Sequence, residues 1–313
     1  MKKHNFYAGP SILSEYTIKN TAAAVENFAG MGLSLLEISH RSKEFVAVND
    51  EARALIKELL DVPAGYEVVF LGGGASMQFC MVPYNLLNKK ASYLDTGTWS
   101  SKAIKEAKLF GEVEVVASSK DKNYTYIPKD YTIADDADYF HITTNNTIYG
   151  TEYNYVPNTN GIAIVADMSS DILSREIDVT DYGLIFAGAQ KNMGCAGLTV
   201  VIVREDLLGH VRKEAPVLLD YALQVEKDSM YNTPPTYAIY ILDLVLEWLE
   251  NLGGIAEIQK RNEAKAKLLY DCLDQSDFYS TSVCKKDRSN MNVTFRSPNA
   301  ELDALFVKES SEL

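Results

Sequence analysis

Cysteine and histidine are scarce in this 313-residue chain, with four of each. The cysteines (Cys80, Cys195, Cys272 and Cys284) form no C-x-x-C pair and no metal-ligand spacing, so they read as reduced core thiols rather than a disulfide frame or zinc site. The histidines make no H-E-x-x-H, which argues against a zinc hydrolase. Basic residues are also in deficit: 30 Lys and Arg against 43 Asp and Glu give a net charge of −13. Such a field repels phosphate backbones and anionic lipid, so any phosphate ligand must be held by a local constellation. No uncharged stretch approaches 18 residues, and no apolar core follows the two N-terminal lysines. Neither a membrane span nor a signal peptide is expected, and the reading is a cytoplasmic chain.

What is present alternates between helical and extended patterns. Phe45, Val48, Ala52, Leu55 and Leu59 recur at helical spacing. Short apolar runs at 67–71, 92–95, 112–116, 139–143, 162–166, 184–187 and 198–203 read as strands, with helices at 76–87 and 99–110 between them. This order predicts an α/β fold with a mainly parallel sheet buried on both faces. Pro234-Pro235 opens a long helix that Gly253-Gly254 stops, and a second helix covers 255–273. Runs at 279–283 and 291–295 read as strands of a smaller domain, followed by a helix from Ala300. The domains are expected at 16–254 and 255–313, with residues 1–15 packing on the small one.

Four features carry chemistry. Gly72-Gly73-Gly74-Ala75-Ser76 lies between a strand and a helix, where free backbone N–H groups can bind phosphate, although a plain tight turn reads equally well. Asp167 ends a strand, either as a ligand-binding acid or as a cap for a helix beginning near Ser169-Ser170. Lys191 follows another strand behind the small residues Gly188 and Ala189; a solvated loop lysine is the plain alternative to a Schiff-base lysine. Trp99 follows a third strand and suits stacking on a flat ring, or simple core packing. Taken together the four suit pyridoxal 5′-phosphate: lysine for its aldehyde, acid for its ring nitrogen, aromatic for its face, helix start for its phosphate.

Longer stretches carry a family resemblance. Asn5-Phe-Tyr-Ala-Gly-Pro10, Glu37-Ile-Ser-His-Arg-Ser42, Gly72-Gly-Gly-Ala-Ser-Met-Gln-Phe79, Ala187-Gly-Ala-Gln-Lys-Asn192, Tyr231-Asn-Thr-Pro-Pro-Thr236 and Arg288-Ser-Asn-Met-Asn-Val293 resemble the phosphoserine aminotransferases, fold-type I pyridoxal-phosphate enzymes of class V. The resemblance implies a seven-stranded large domain, with Lys191 as the cofactor lysine. Ala75, Ser76 and Gln190 would bind the phosphate, Trp99 would stack, and Thr147 would lie near the ring hydroxyl. Asp167 would meet the ring nitrogen. It also implies a homodimer in which Asn232 and Thr233 reach the phosphate across the interface and His40 and Arg41 bind the acidic substrate. The implied reaction moves an amino group from L-glutamate to 3-phosphooxypyruvate, giving 2-oxoglutarate and O-phospho-L-serine in serine biosynthesis. The family also acts on a related phosphorylated hydroxythreonine in vitamin B6 synthesis.

Two departures accompany the match. Some members carry Arg-Gly where this chain has Ala75-Ser76, and members continue some tens of residues past the position of Leu313. A complete cofactor site beside an incomplete substrate site is therefore expected, with a cofactor-binding protein of impaired turnover as the rival reading. Another fold-type I enzyme, such as an alanine–glyoxylate-type aminotransferase or a cysteine desulfurase using Cys284, is the further alternative.

Overall fold

A computed structural model describes residues 3–211 and 216–312. Along the chain lie α1 (Glu15–Glu26), α2 (Lys43–Leu59), β1 (Tyr66–Gly72), α3 (Gly74–Leu86), β2 (Lys90–Asp95), α4 (Thr98–Ala107) and β3 (Glu112–Ser118). They continue with β4 (Tyr139–Thr143), the short pair β5 (Asn145–Asn146) and β6 (Thr151–Glu152), β7 (Ile164–Asp167), β8 (Leu184–Gly188), α5 (Ala189–Asn192) and β9 (Leu198–Arg204). The last four helices are α6 (Tyr221–Glu226), α7 (Thr236–Asn251), α8 (Gly254–Asp274) and α9 (Ala300–Glu312).

Seven strands form one sheet in the order β1-β9-β8-β7-β4-β2-β3. β9 runs antiparallel to both its neighbours and the remaining pairs are parallel, so β9 alone opposes the other six. Strand residues alternate between two buried faces. Phe140, Ile142, Ala166 and Ala187 face α2 and α7, where Phe45, Ile56, Leu242 and Leu246 are buried. Tyr93, Tyr139, Val165 and Phe186 face α3 and α4 in a second core. Burial on both sides explains why these strands read as unbroken apolar runs.

Local chemistry sets the helix ends. The Ser42 hydroxyl accepts from the Phe45 N–H at 3.3 Å and caps α2. Gly73, at φ 96°, makes the left-handed step from β1 into α3 that a side chain would disfavour. Because β1, β2, β4, β7 and β8 point the same way, Gly72, Asp95, Thr143, Asp167 and Gly188 end at one edge of the sheet. Ligands of open α/β sheets bind at that edge.

Three expectations need correction. Residues 279–283 and 291–295 are not strands; the first makes one isolated bridge, Ser280 to Arg296, and the second makes none. Their backbone N–H groups are diverted into turns: Tyr279 donates to Ser276 Oγ, Val283 to Thr281 Oγ1, and Met291 and Asn292 to Ser289 Oγ. No helix follows Asp167: Ser169 and Ser170 lie in a turn whose hydroxyls serve the site described below. Among the thiols, Cys272 and Cys284 are exposed rather than in the core, and all four are free. The N-terminal segment touches both parts of the chain, Lys3 through the Ser311 carbonyl and Ser11 through the Gln190 carbonyl.

Candidate active site

Lys191 sits in α5, one turn beyond the end of β8, and burial pushes its amine below the ordinary lysine range, against the pull of Asp167 and Asp171. Its Nζ donates to Thr147 Oγ1 at 2.7 Å and lies 5.1 Å from the centre of the Trp99 ring. Lys102, on α4, lies 4.6 Å from the same ring centre. The Trp99 indole N–H is buried without a partner.

Asp167 is buried at the end of β7, beside β8. Burial raises its pKa, while the Lys191 charge and the Ser169 hydrogen bonds lower it. Oδ1 accepts from the Ser169 N–H at 3.0 Å and hydroxyl at 2.6 Å, and that hydroxyl in turn accepts from the Gly188 N–H at 3.0 Å. Ser169 therefore ties the ends of two neighbouring strands together and fixes the acid.

The start of α3 meets the β8–α5 turn at Gly188. A Cβ at that position would lie 3.3 Å from the Ala75 nitrogen and 2.9 Å from Gln190 Oε1. The absence of a side chain thus lets a helix N-terminus and an amide side chain converge on one small space. Ser76 lies next to Ala75 in the same first turn, with its side chain open to solvent. Such first-turn N–H groups have no partner within the helix.

Behind Lys191 lies a second group of charges. Asp171 is buried and accepts from Thr144 Oγ1 at 2.6 Å; burial and the neighbouring Glu152 push its pKa up to about 7. Arg175 bridges it to Glu152, at 3.4 Å and 3.2 Å.

One chain thus brings together Ala75, Trp99, Thr147, Asp167, Gln190 and Lys191. It does not bring His40, Arg41, Asn232 or Thr233 to them by any hydrogen bond or ion pair among the described residues. The Asn232 amide donates to the neighbouring Thr233 carbonyl, and Arg41, Asn232 and Thr233 are exposed. Sequence reading missed Ser169, Ser170, Asn145 and the Asp171–Arg175–Glu152 group. The adjacent serines were visible, but as the start of a helix.

Residues 4–312 match the family described as aminotransferase class-V. A phosphoserine aminotransferase of Parabacteroides distasonis is 70% identical over 295 residues, which cover 94% of this chain and 83% of that protein. The chain belongs to the phosphoserine aminotransferase family. Among solved structures, a family member from Bacillus circulans subsp. alkalophilus superposes with a TM-score of 0.97 at 45% identity, covering 99% of this chain and 88% of that one. A pyridoxal-phosphate-bound member from Trichomonas vaginalis gives 0.95 at 36% identity, with 99% and 90% covered. The family match bears out the fold class, and it favours the aminotransferase over a desulfurase. No described helix is long and apolar enough to cross a membrane.

Proposed function

We propose that this chain transfers the amino group of L-glutamate to 3-phosphooxypyruvate, forming O-phospho-L-serine and 2-oxoglutarate, with pyridoxal 5′-phosphate as cofactor. The observation that carries the reading is Lys191: a half-buried amine held over an indole ring, beside a buried strand-end acid. The residues fit the cofactor on their own chemistry. The Gly188 gap leaves the first-turn N–H groups of α3 and the Gln190 amide free for a phosphate, and Trp99 offers a flat face.

When bound, the cofactor supplies an aldehyde and an electron-accepting ring. The protein's share is distinct. Lys191 Nζ would be the group that holds the cofactor, and burial favours the neutral amine that this requires. Nζ, once free, would take the proton from the substrate Cα and deliver it to the carbon that carried the aldehyde. Asp167, fixed by Ser169, holds a proton at the ring nitrogen. Ala75, Ser76 and Gln190 hold the phosphate, and Thr147 stands by the ring hydroxyl.

His40 and Arg41 bind the acidic substrate, and Asn232 and Thr233 complete the phosphate site, in a homodimer that supplies them from the partner subunit. An arginine fork suits a carboxylate or phosphate through two parallel hydrogen bonds, which reconciles an anionic substrate with an acidic protein. We also place the boundary between large and small domains at Gly254.

The test is the visible spectrum of the purified chain with pyridoxal phosphate, before and after L-glutamate. A lysine-bound cofactor band that glutamate bleaches is expected, and borohydride should fix the label on Lys191. Lys191→Ala should lose both band and turnover. A label on another lysine, or a band unchanged by glutamate, would overturn the proposal.

A further inference from the structure

The hydroxyl protons behind Lys191 form a chain with one consistent direction. Ser170 is buried, and its hydroxyl donates to the Asn145 carbonyl at 3.0 Å. The same oxygen accepts from Asn145 Nδ2 at 2.8 Å and from the Thr147 hydroxyl at 3.0 Å. A hydroxyl has one proton and two lone pairs, so Ser170 is fully used. Thr147 has then spent its single proton on Ser170, and towards Lys191 Nζ, 2.7 Å away, it can only accept. Asn145 is itself anchored, its Nδ2 also donating to Asn292 Oδ1 at 2.7 Å.

This direction matters for an amine that must act as nucleophile and base. A neutral amine has one lone pair, and a hydroxyl that donates to it masks it. We propose that Ser170 is a positioning residue: by drawing the Thr147 proton away from Lys191, it leaves the lone pair of the amine free to react. The inference rests on the reading of Lys191 as the cofactor-binding lysine and adds the group that orients its neighbour.

Without Ser170, Thr147 can turn its proton toward the neutral amine. That stabilises the neutral form and blocks its lone pair at once. Ser170→Ala should therefore lower both the pKa of Lys191 and the reactivity of the neutral amine. A merely loosened site would do the reverse, since water entering would return the amine toward its ordinary range and expose it. The charged groups that act on Lys191, Asp167 and Asp171, stay in place in the variant, as does Lys102 beside Trp99.

The experiment measures the rate at which 1-fluoro-2,4-dinitrobenzene labels Lys191 in the cofactor-free 313-residue chain across pH, read by mass spectrometry of the Lys191 peptide. Exchange of one ordinary hydrogen bond predicts for Ser170→Ala a pKa lower by about half a unit and a plateau rate lower by about threefold. In a Thr147→Val background Ser170→Ala should have no further effect, because the hydroxyl it controls is gone. If circular dichroism shows Ser170→Ala unfolded, Ser170→Cys, whose thiol is a weaker acceptor, should shift both readouts in the same direction by less.

An unchanged or raised pKa, an unchanged plateau, or additive effects with Thr147→Val would overturn the inference. Reconstitution of the same samples with pyridoxal phosphate separates the two readings. A chain whose Lys191 titrates as expected but never captures the cofactor refutes the proposed function and leaves the proton chain standing.

Discussion

Asp243 should destabilise this protein at neutral and alkaline pH, and replacing it with asparagine should reveal by how much. It lies in α7, 3% exposed, with Oδ1 unpartnered. Carboxylate oxygens of Asp243, Glu51 and Glu247 lie within 4.8 Å of one another. Tyr16 donates to Glu247 at 2.6 Å, so the available hydroxyl serves a different acid. Burial first, then the charges of Glu51 and Glu247, push the Asp243 pKa from 3.8 up to about 8. Each pKa unit is worth about 1.4 kcal/mol, so a shift of about four units corresponds to an upper figure of about 5–6 kcal/mol. Glu51 is open to solvent, and screening of its charge reduces the expected cost to about 2–4 kcal/mol.

The sign follows from linkage. A raised acid pKa leaves folding unpenalised below the unfolded-state value near 4. Stability is then lost as the pH rises toward 8, where the folded carboxyl ionises. Asp243→Asn escapes this loss, so its advantage should be small at pH 4–5, grow through pH 4–8 and level off above. The assay is chemical denaturation of wild type and variant at pH 5, 7 and 9, with the midpoint shift multiplied by a common m-value. An advantage independent of pH would mean that the carboxyl titrates alike in the folded and unfolded chain, and a variant less stable at pH 9 that the native carboxylate is ionised and paired; either result would refute the reasoning.

Two further outcomes test the site directly. Asp167→Asn keeps an acceptor for Ser169 but loses the negative charge, so pyridoxal phosphate should still bind while kcat falls by about 100-fold or more; unchanged kcat would remove Asp167 from its role. Gly188→Ala places a methyl 3.3 Å from the Ala75 nitrogen and 2.9 Å from Gln190 Oε1. Cofactor affinity should drop by about tenfold or more, equal to about 1.4 kcal/mol, while the denaturation midpoint of the cofactor-free chain changes little; an unaltered Kd by equilibrium titration would show that phosphate does not use this gap.

The inner strands were legible in the sequence because they are buried on both faces, and the exposed edge strand β3 was legible by its alternation of Glu112, Val113, Glu114 and Val115. Lys191 and Asp167 were legible for a related reason: each closes such a run, and strand ends are where parallel sheets place their ligands. The runs at 279–283 and 291–295 carry the strand-favouring residues Tyr279, Val283, Val293 and Phe295, yet strand formation needs a partner strand for the backbone groups, and here Tyr279, Val283, Met291 and Asn292 donate to the hydroxyls of their own turns. The reversal of β9 was decided by a connection, residues 189–197, too short to cross back over the sheet for a parallel pairing.

Charge and hydroxyl networks belong to tertiary structure alone. Ser169 and Ser170 are adjacent in the chain, yet one bonds Asp167 and Gly188 while the other accepts from Thr147 and Asn145. Which group a hydroxyl serves depends on angles and on who has spent which proton, and residue order does not encode either. Sequence by itself determined the strands of the large sheet, its ligand-facing edge and the lysine of the candidate site. The direction of the hydrogen bonds around that lysine was decided only when strands far apart in the chain came to lie side by side.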